Sequence, residues 1–105
     1  MEIRPVNQVI PLLAAATAPG TGEVFNVAAF HKVIEATLTG AGATATVRIF
    51  GNTRNNSIDG ILLATITLAS ATPRDGFAFD AVWPYLYAEV VTITGGGSLD
   101  VDLAV

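Results

Sequence analysis

Apolar residues occupy every second position at the end of the chain, where Leu99, Val101, Leu103 and Val105 alternate with Asp100, Asp102 and Ala104. A period of two belongs to a strand with one face buried and the other wet; on a helix these apolar side chains would fall on opposite sides. The segment follows Gly95-Gly-Gly97 and an apolar run from Tyr85 to Thr94. The two pieces read as antiparallel strands joined by a glycine turn.

The same cadence runs backward through the chain. Lys32 to Thr39 places Ile34, Ala36 and Leu38 on one face, and Thr44 to Phe50 places Ala45, Val47 and Ile49 on one face. With Gly40-Ala-Gly42 between them, these pieces read as a hairpin. Ile61 to Ala69 offers Leu62, Ala64, Ile66 and Leu68 to a core, and Phe77 and Phe79 share one side of a short strand. Gly51 to Gly60, which contains almost every turn-forming residue type, and Ser70 to Gly76 read as loops. Tyr85 to Thr94 has two competing apolar phases, Leu86/Ala88/Val90 and Tyr87/Val91/Ile93, which a bulge near Val90 would reconcile. Glu23 to Val27 is a short strand. Gln8 to Ala18, interrupted by Pro11, is an edge strand or an extended arm.

Seven or eight short strands without a helical period require two layers, because one sheet would leave an apolar face in water. The expected fold is therefore all-β, an antiparallel β-sandwich of jelly-roll type with an N-terminal extended arm. Residues 1–18 form the arm or edge strand and residues 19–105 the β-sandwich domain.

Charged residues make up only 13% of the 105 positions and apolar ones 51%. A single core this small cannot hide all of that apolar surface, so part of it is expected to meet a partner. The five basic residues, Arg4, Lys32, Arg48, Arg54 and Arg74, are dispersed, and a net charge of −4 gives no phosphate-binding surface. With no cysteine there is no disulfide and no thiolate. The opening residues lack the pattern of a signal peptide, and Val9 to Ala16 is too short to span a bilayer. The expectation is a protein made in a cytoplasm, with neither nucleic acid nor membrane as its partner.

Candidate chemistry is thin. His31 has no nucleophile or orienting acid beside it in sequence, and no Gly-x-Ser-x-Gly elbow exists. Asp100 and Asp102 share one strand face, with Asp75, Asp80 and Glu89 as possible neighbours; carboxylates so placed suit calcium or glycoside hydrolysis, but strand alternation explains them equally. Gly95-Gly-Gly97 precedes no helix and no Gly-Lys-Ser ending, so it is a turn and not a phosphate loop. No catalytic, metal-binding or cofactor-binding residue is assigned. Trp83, Tyr85 and Tyr87 suit a glycan platform or a protein contact, with Trp83 as a core or end plug. Val9, Ile10, Leu12 and Leu13, in a segment with little charge, are expected to contact a neighbouring subunit, with Phe50, Tyr85 and Tyr87 as further contacts.

Three stretches, Ile34-Glu-Ala-Thr-Leu-Thr-Gly-Ala-Gly42, Thr46-Val-Arg-Ile-Phe-Gly51 and Trp83-Pro-Tyr-Leu-Tyr-Ala-Glu-Val-Val-Thr-Ile-Thr-Gly95, together with the alternating last strand, resemble small structural proteins of tailed bacteriophages. The likeness covers roughly Val33 to Val105 and is to capsid decoration (cement) proteins of jelly-roll-like fold. It implies a non-enzymatic protein, a homodimer or homotrimer. Such a protein binds the major capsid protein on the outer surface of the shell and stabilises the lattice. Its place would be the virion, after synthesis in the bacterial host cytoplasm. A tail or head–tail component of the same virion, or a carbohydrate-binding module, is the alternative.

Overall fold

The computed structural model describes residues 9–27 and 29–105, and these form nine strands in two sheets. In chain order they are β1 (Val9–Ala16), β2 (Gly20–Thr21), β3 (Phe25–Asn26), β4 (His31–Thr39), β5 (Thr44–Asn52), β6 (Ile61–Ala69), β7 (Arg74–Asp80), β8 (Tyr85–Thr94) and β9 (Ser98–Ala104). One sheet has the order β1-β9-β4-β7; the other runs β2-β8-β5-β6, with β3 also on β8. All pairings are antiparallel. This is the strand order of a jelly roll, in which most connections carry the chain from one sheet to the other.

Two expected hairpins are corrected by this order. β4 and β5 lie in different sheets, and so do β8 and β9; only β5 and β6 are consecutive strands paired with each other. The glycine segments between them are corners of the sandwich. Gly40, Gly42, Gly95 and Gly96 all have positive φ, and the two corners pack on one another. A Cβ on Gly95 would sit 2.8 Å from the Gly42 carbonyl oxygen, and one on Gly97 would sit 2.7 Å from Ala43 Cβ. Glycine is required here by backbone conformation and by close approach together.

The alternating residues supply the interior. Ile34, Ala36 and Leu38 from β4 and Leu99, Val101 and Leu103 from β9 face Ala45, Val47, Ile49, Ile66, Leu68, Leu86, Ala88 and Val90 of the other sheet. Each buried Leu, Ile or Val contributes about 1.5–3 kcal/mol of transfer free energy. The β8 bulge lies where its two apolar phases compete: Val47 pairs with Val90 and Thr46 with Thr92, leaving Val91 as the extra residue.

Other expectations shift locally. β7 begins at Arg74, so the expected loop over 70–76 ends early, and Gly76 pairs with Glu35. The strand expected over 23–27 shortens to β3, and a further two-residue strand, β2, forms just before Gly22, which passes close to Leu12 and Leu13. A bulge at Leu63 reverses the side-chain phase at the start of β6. Leu62, expected in the core, therefore pairs with Phe50 on the outer face and is exposed.

Candidate contact surfaces

β1 is an edge strand of its own subunit over Val9–Ala16. Ile10 and Leu13 are half-buried against the core, and Leu12 is only 2% exposed. Leu12 is filled within the subunit and Ile10 and Leu13 partly so, and of the two expectations for this segment, edge strand or arm, residues 9–16 take the edge strand. Val9 alone of the four is exposed. Residues 1–8 of the proposed arm lie outside the described residues.

Val9 belongs to a row that crosses the outer face of the first sheet. Its register partners are Ala104, then Val33, then Ala78. The next row is Pro11, Asp102, Glu35 and Gly76. Two adjoining shallow hollows, of about 440 and 410 Å³, lie along these rows and share Val33 and Glu35. Arg74 Nη2 donates to Glu35 Oε2 at 2.7 Å. Among the described residues Asp102 has no such partner; partial burial, and then the charges of Asp100 and Glu35, push its carboxyl above the ordinary 3.8. Asp100 and Asp102 do face outward together, as alternation requires, and no cluster suited to a metal ion occurs among the described residues. Asp100 instead holds β1, accepting the backbone N–H of Ala15 at 2.8 Å.

The outer face of the second sheet carries the aromatic candidates. Phe50 and Tyr87 are register partners whose rings stack at 5.0 Å and 11°. The β5–β6 loop folds over them, and the Gly60 N–H donates to Tyr87 Oη at 3.1 Å. Within the loop, Asn52 Nδ2 donates to the Asn56 carbonyl, Asn56 Oδ1 and Asp59 Oδ1. Tyr87 is thus 3% exposed and has no face left for a sugar or a neighbouring subunit, which corrects its assignment as a contact. Trp83 is half-buried with its indole flat on Gly51, where a Cβ would come within 2.6 Å of the ring, and it packs on the edge of the core. Phe50 and Tyr85 remain half-buried.

At one end of the sandwich, His31 Nδ1 lies 2.6 Å from Asp80 Oδ1, with both side chains largely exposed. Folding has brought an acid to the histidine, in the form of a surface hydrogen bond across β4 and β7. Beside it is a residue that sequence reasoning passed over. Lys32 is 1% exposed, faces inward in step with Ile34, Ala36 and Leu38, and donates through Nζ to the carbonyls of Ala29 and Ala81. Its ammonium lies over the Phe79 ring, 5.7 Å from the centroid, and burial lowers its pKa. Parity along β4 was the available signal.

The four sheet edges differ in protection. β1 has Pro11 and two register shifts, β7 carries Arg74, Asp75 and Asp80, and β2 and β3 are too short to template another strand. β6 is nine residues long, has no charge and no proline, and pairs only with β5 among the described strands. Ile61 and Leu62 at its start are exposed, and Ile58 just before it is 89% exposed. An apolar edge of this kind invites pairing with another chain.

No family model and no curated protein matches this sequence. Among solved structures, the SPBc2 prophage-derived protein YomS shares the fold, with a TM-score of 0.60 over 100% of this chain and 98% of that one at 17% identity.

Proposed function

We propose that this chain is a structural protein of a tailed-phage particle, a decoration protein that binds the major capsid lattice from outside and stabilises it. The observation that carries this reading is the likeness in fold, over the whole of this chain, to a prophage-derived protein. Surface character supports it. Charge is sparse, Val9, Val33, Ile58, Ile61 and Leu62 are exposed, and one sheet edge is unguarded among the described residues.

In this reading the protein does no chemistry. Apolar surface and strand edges buried at the joints between capsid subunits raise the free energy needed to separate them. Among the described residues the basic side chains do not gather into a phosphate-binding patch, since Lys32 is buried and Arg54 and Arg74 face Asp59 and Glu35. Val9 and the half-exposed parts of Phe50 and Tyr85 are the contacts retained from the sequence.

Cryo-electron microscopy of the particle that contains this chain tests the proposal. Density for the jelly roll on the outer face of the head is the expected result. Density confined to the tail or the head–tail joint would move the protein there, and absence from the particle would end the structural reading.

A further inference from the structure

We infer that β6 is a self-pairing edge: two copies of this chain join β6 to β6 antiparallel about a two-fold axis at Ile66, making one continuous sheet across a dimer. The inference is independent of the phage assignment.

The backbone fixes which groups are free among the described residues. Ala69 and Thr72 exchange hydrogen bonds, N–H of Ala69 to O of Thr72 at 3.3 Å and N–H of Thr72 to O of Ala69 at 3.0 Å. Ala69 therefore turns its N–H and C=O away from β5. The register with β5 is regular from Thr44↔Ala69 to Ile49↔Ala64. Backbone groups alternate sides along a strand, so those of Thr65 and Thr67 point to the same open edge as those of Ala69. The turn at Ala69–Thr72 closes one end of this open stretch, and the bulge at Leu63 closes the other. What remains is Ala64-Thr-Ile-Thr-Leu68.

That stretch reads almost the same in both directions, and this symmetry singles out a second copy as the partner. About Ile66, Thr65 of one copy faces Thr67 of the other, Ile66 faces itself, and Ala64 faces Leu68. The two Thr65·Thr67 pairs are the ones whose N–H and C=O groups are free, so each pair closes two backbone hydrogen bonds. Their hydroxyls meet on the wet face, where Thr65 and Thr67 are exposed. On the other face, Ile66 and Leu68 are core residues of each subunit, and a small side chain opposes each leucine. With no charge on the strand, the two-fold sets no like charges against each other, and an isologous contact of this kind closes at two copies.

Two double variants at exposed positions test this while leaving the core untouched. T65K/T67K sets lysine against lysine in both cross-strand pairs, whereas T65K/T67E sets lysine against glutamate in both. By sedimentation equilibrium at rising concentration, the wild-type mass should climb from 10.8 kDa towards twice that value. T65K/T67K should stay at the monomer mass and T65K/T67E should again form dimers, with all three proteins showing the same cooperative unfolding. A wild-type mass that stays at 10.8 kDa up to about 1 mM overturns the inference in favour of a strand from another protein. Dimers of T65K/T67K, or failure of T65K/T67E to dimerise, overturn it as well.

Discussion

Asp100 holds Ala15 in a conformation that alanine disfavours. Ala15 has φ of 51°, and its N–H donates to Asp100 Oδ1 at 2.8 Å, where β1 bulges between its pairings to Val101 and Leu99. A left-handed residue costs an L-amino acid roughly 1–2 kcal/mol, and one hydrogen bond to a carboxylate returns about as much. Ala15→Gly should therefore raise stability by about 0.5–1 kcal/mol, and Asp100→Ala should lower it by about 1–2 kcal/mol. Thermal unfolding of the two variants checks both signs. If Ala15→Gly destabilised the protein, the strain at this bulge would not be relieved by losing the side chain.

Lys32 closes one end of the sandwich with a charge. Its Nζ satisfies the Ala29 and Ala81 carbonyls, which belong to the β3–β4 and β7–β8 connections. Lys32→Ala removes the buried stem and leaves both carbonyls unpaired, for an expected loss of about 2–4 kcal/mol. Lys32→Met keeps most of the stem and removes the desolvated charge, so its loss should be smaller, about 1–2 kcal/mol. Urea unfolding of the pair separates the two contributions. Equal losses would mean that the carbonyls, and not the packing of the stem, set the whole effect.

The loop over Phe50 and Tyr87 rests on one hydroxyl and one glycine. Tyr87→Phe keeps the stack and removes the acceptor for the Gly60 N–H, for an expected loss of about 1 kcal/mol. Gly60→Ala places a Cβ against the Tyr87 ring and hydroxyl and should cost more, because the loop must lift. Tyrosine fluorescence and limited proteolysis between Thr53 and Gly60 read the lifting directly. Cleavage at the wild-type rate in Gly60→Ala would show that the loop accommodates the methyl group.

Local alternation carried the strands, and long-range choice carried the rest. The bounds of Ile61–Ala69 were legible to the residue, though not the bulge at Leu63, and the competing phases of β8 announced the bulge at Val91. A glycine corner between sheets, however, looks the same in sequence as a glycine hairpin within one sheet. Gly40–Gly42 and Gly95–Gly97 differ from hairpin turns only in packing on each other. Contacts misread for the same reason include Leu12, buried once β1 pairs with β9, and Tyr87, buried by a loop 27 residues away in sequence. Lys32 was legible by parity and hidden by its charge. Because Leu12 is core, deleting residues 1–18 would unsettle the fold itself, so the contact role of β1 belongs to a change at exposed Val9.

Asp102 gives the chain a pH-dependent weakness on the face that carries the hollows. Its carboxyl is raised above 3.8 in the folded protein by burial and by Asp100 and Glu35. Between 3.8 and the raised folded value, the native state holds a proton that the unfolded chain has released. Stability from this group therefore falls as pH rises through that window, and the cost is fully present at neutral pH. Asp102→Asn removes the charge while keeping the shape, so it should raise Tm at pH 7 by about 2–4 °C. The gain should shrink on acidification and vanish below 3.8, where Asp102 is protonated in both states. Added salt should also reduce it at pH 7, because the parts owed to Asp100 and Glu35 are screened while the part owed to burial is not. Thermal scans of both proteins from pH 7 to pH 3 check this, and a gain that grew on acidification would reverse the assigned direction.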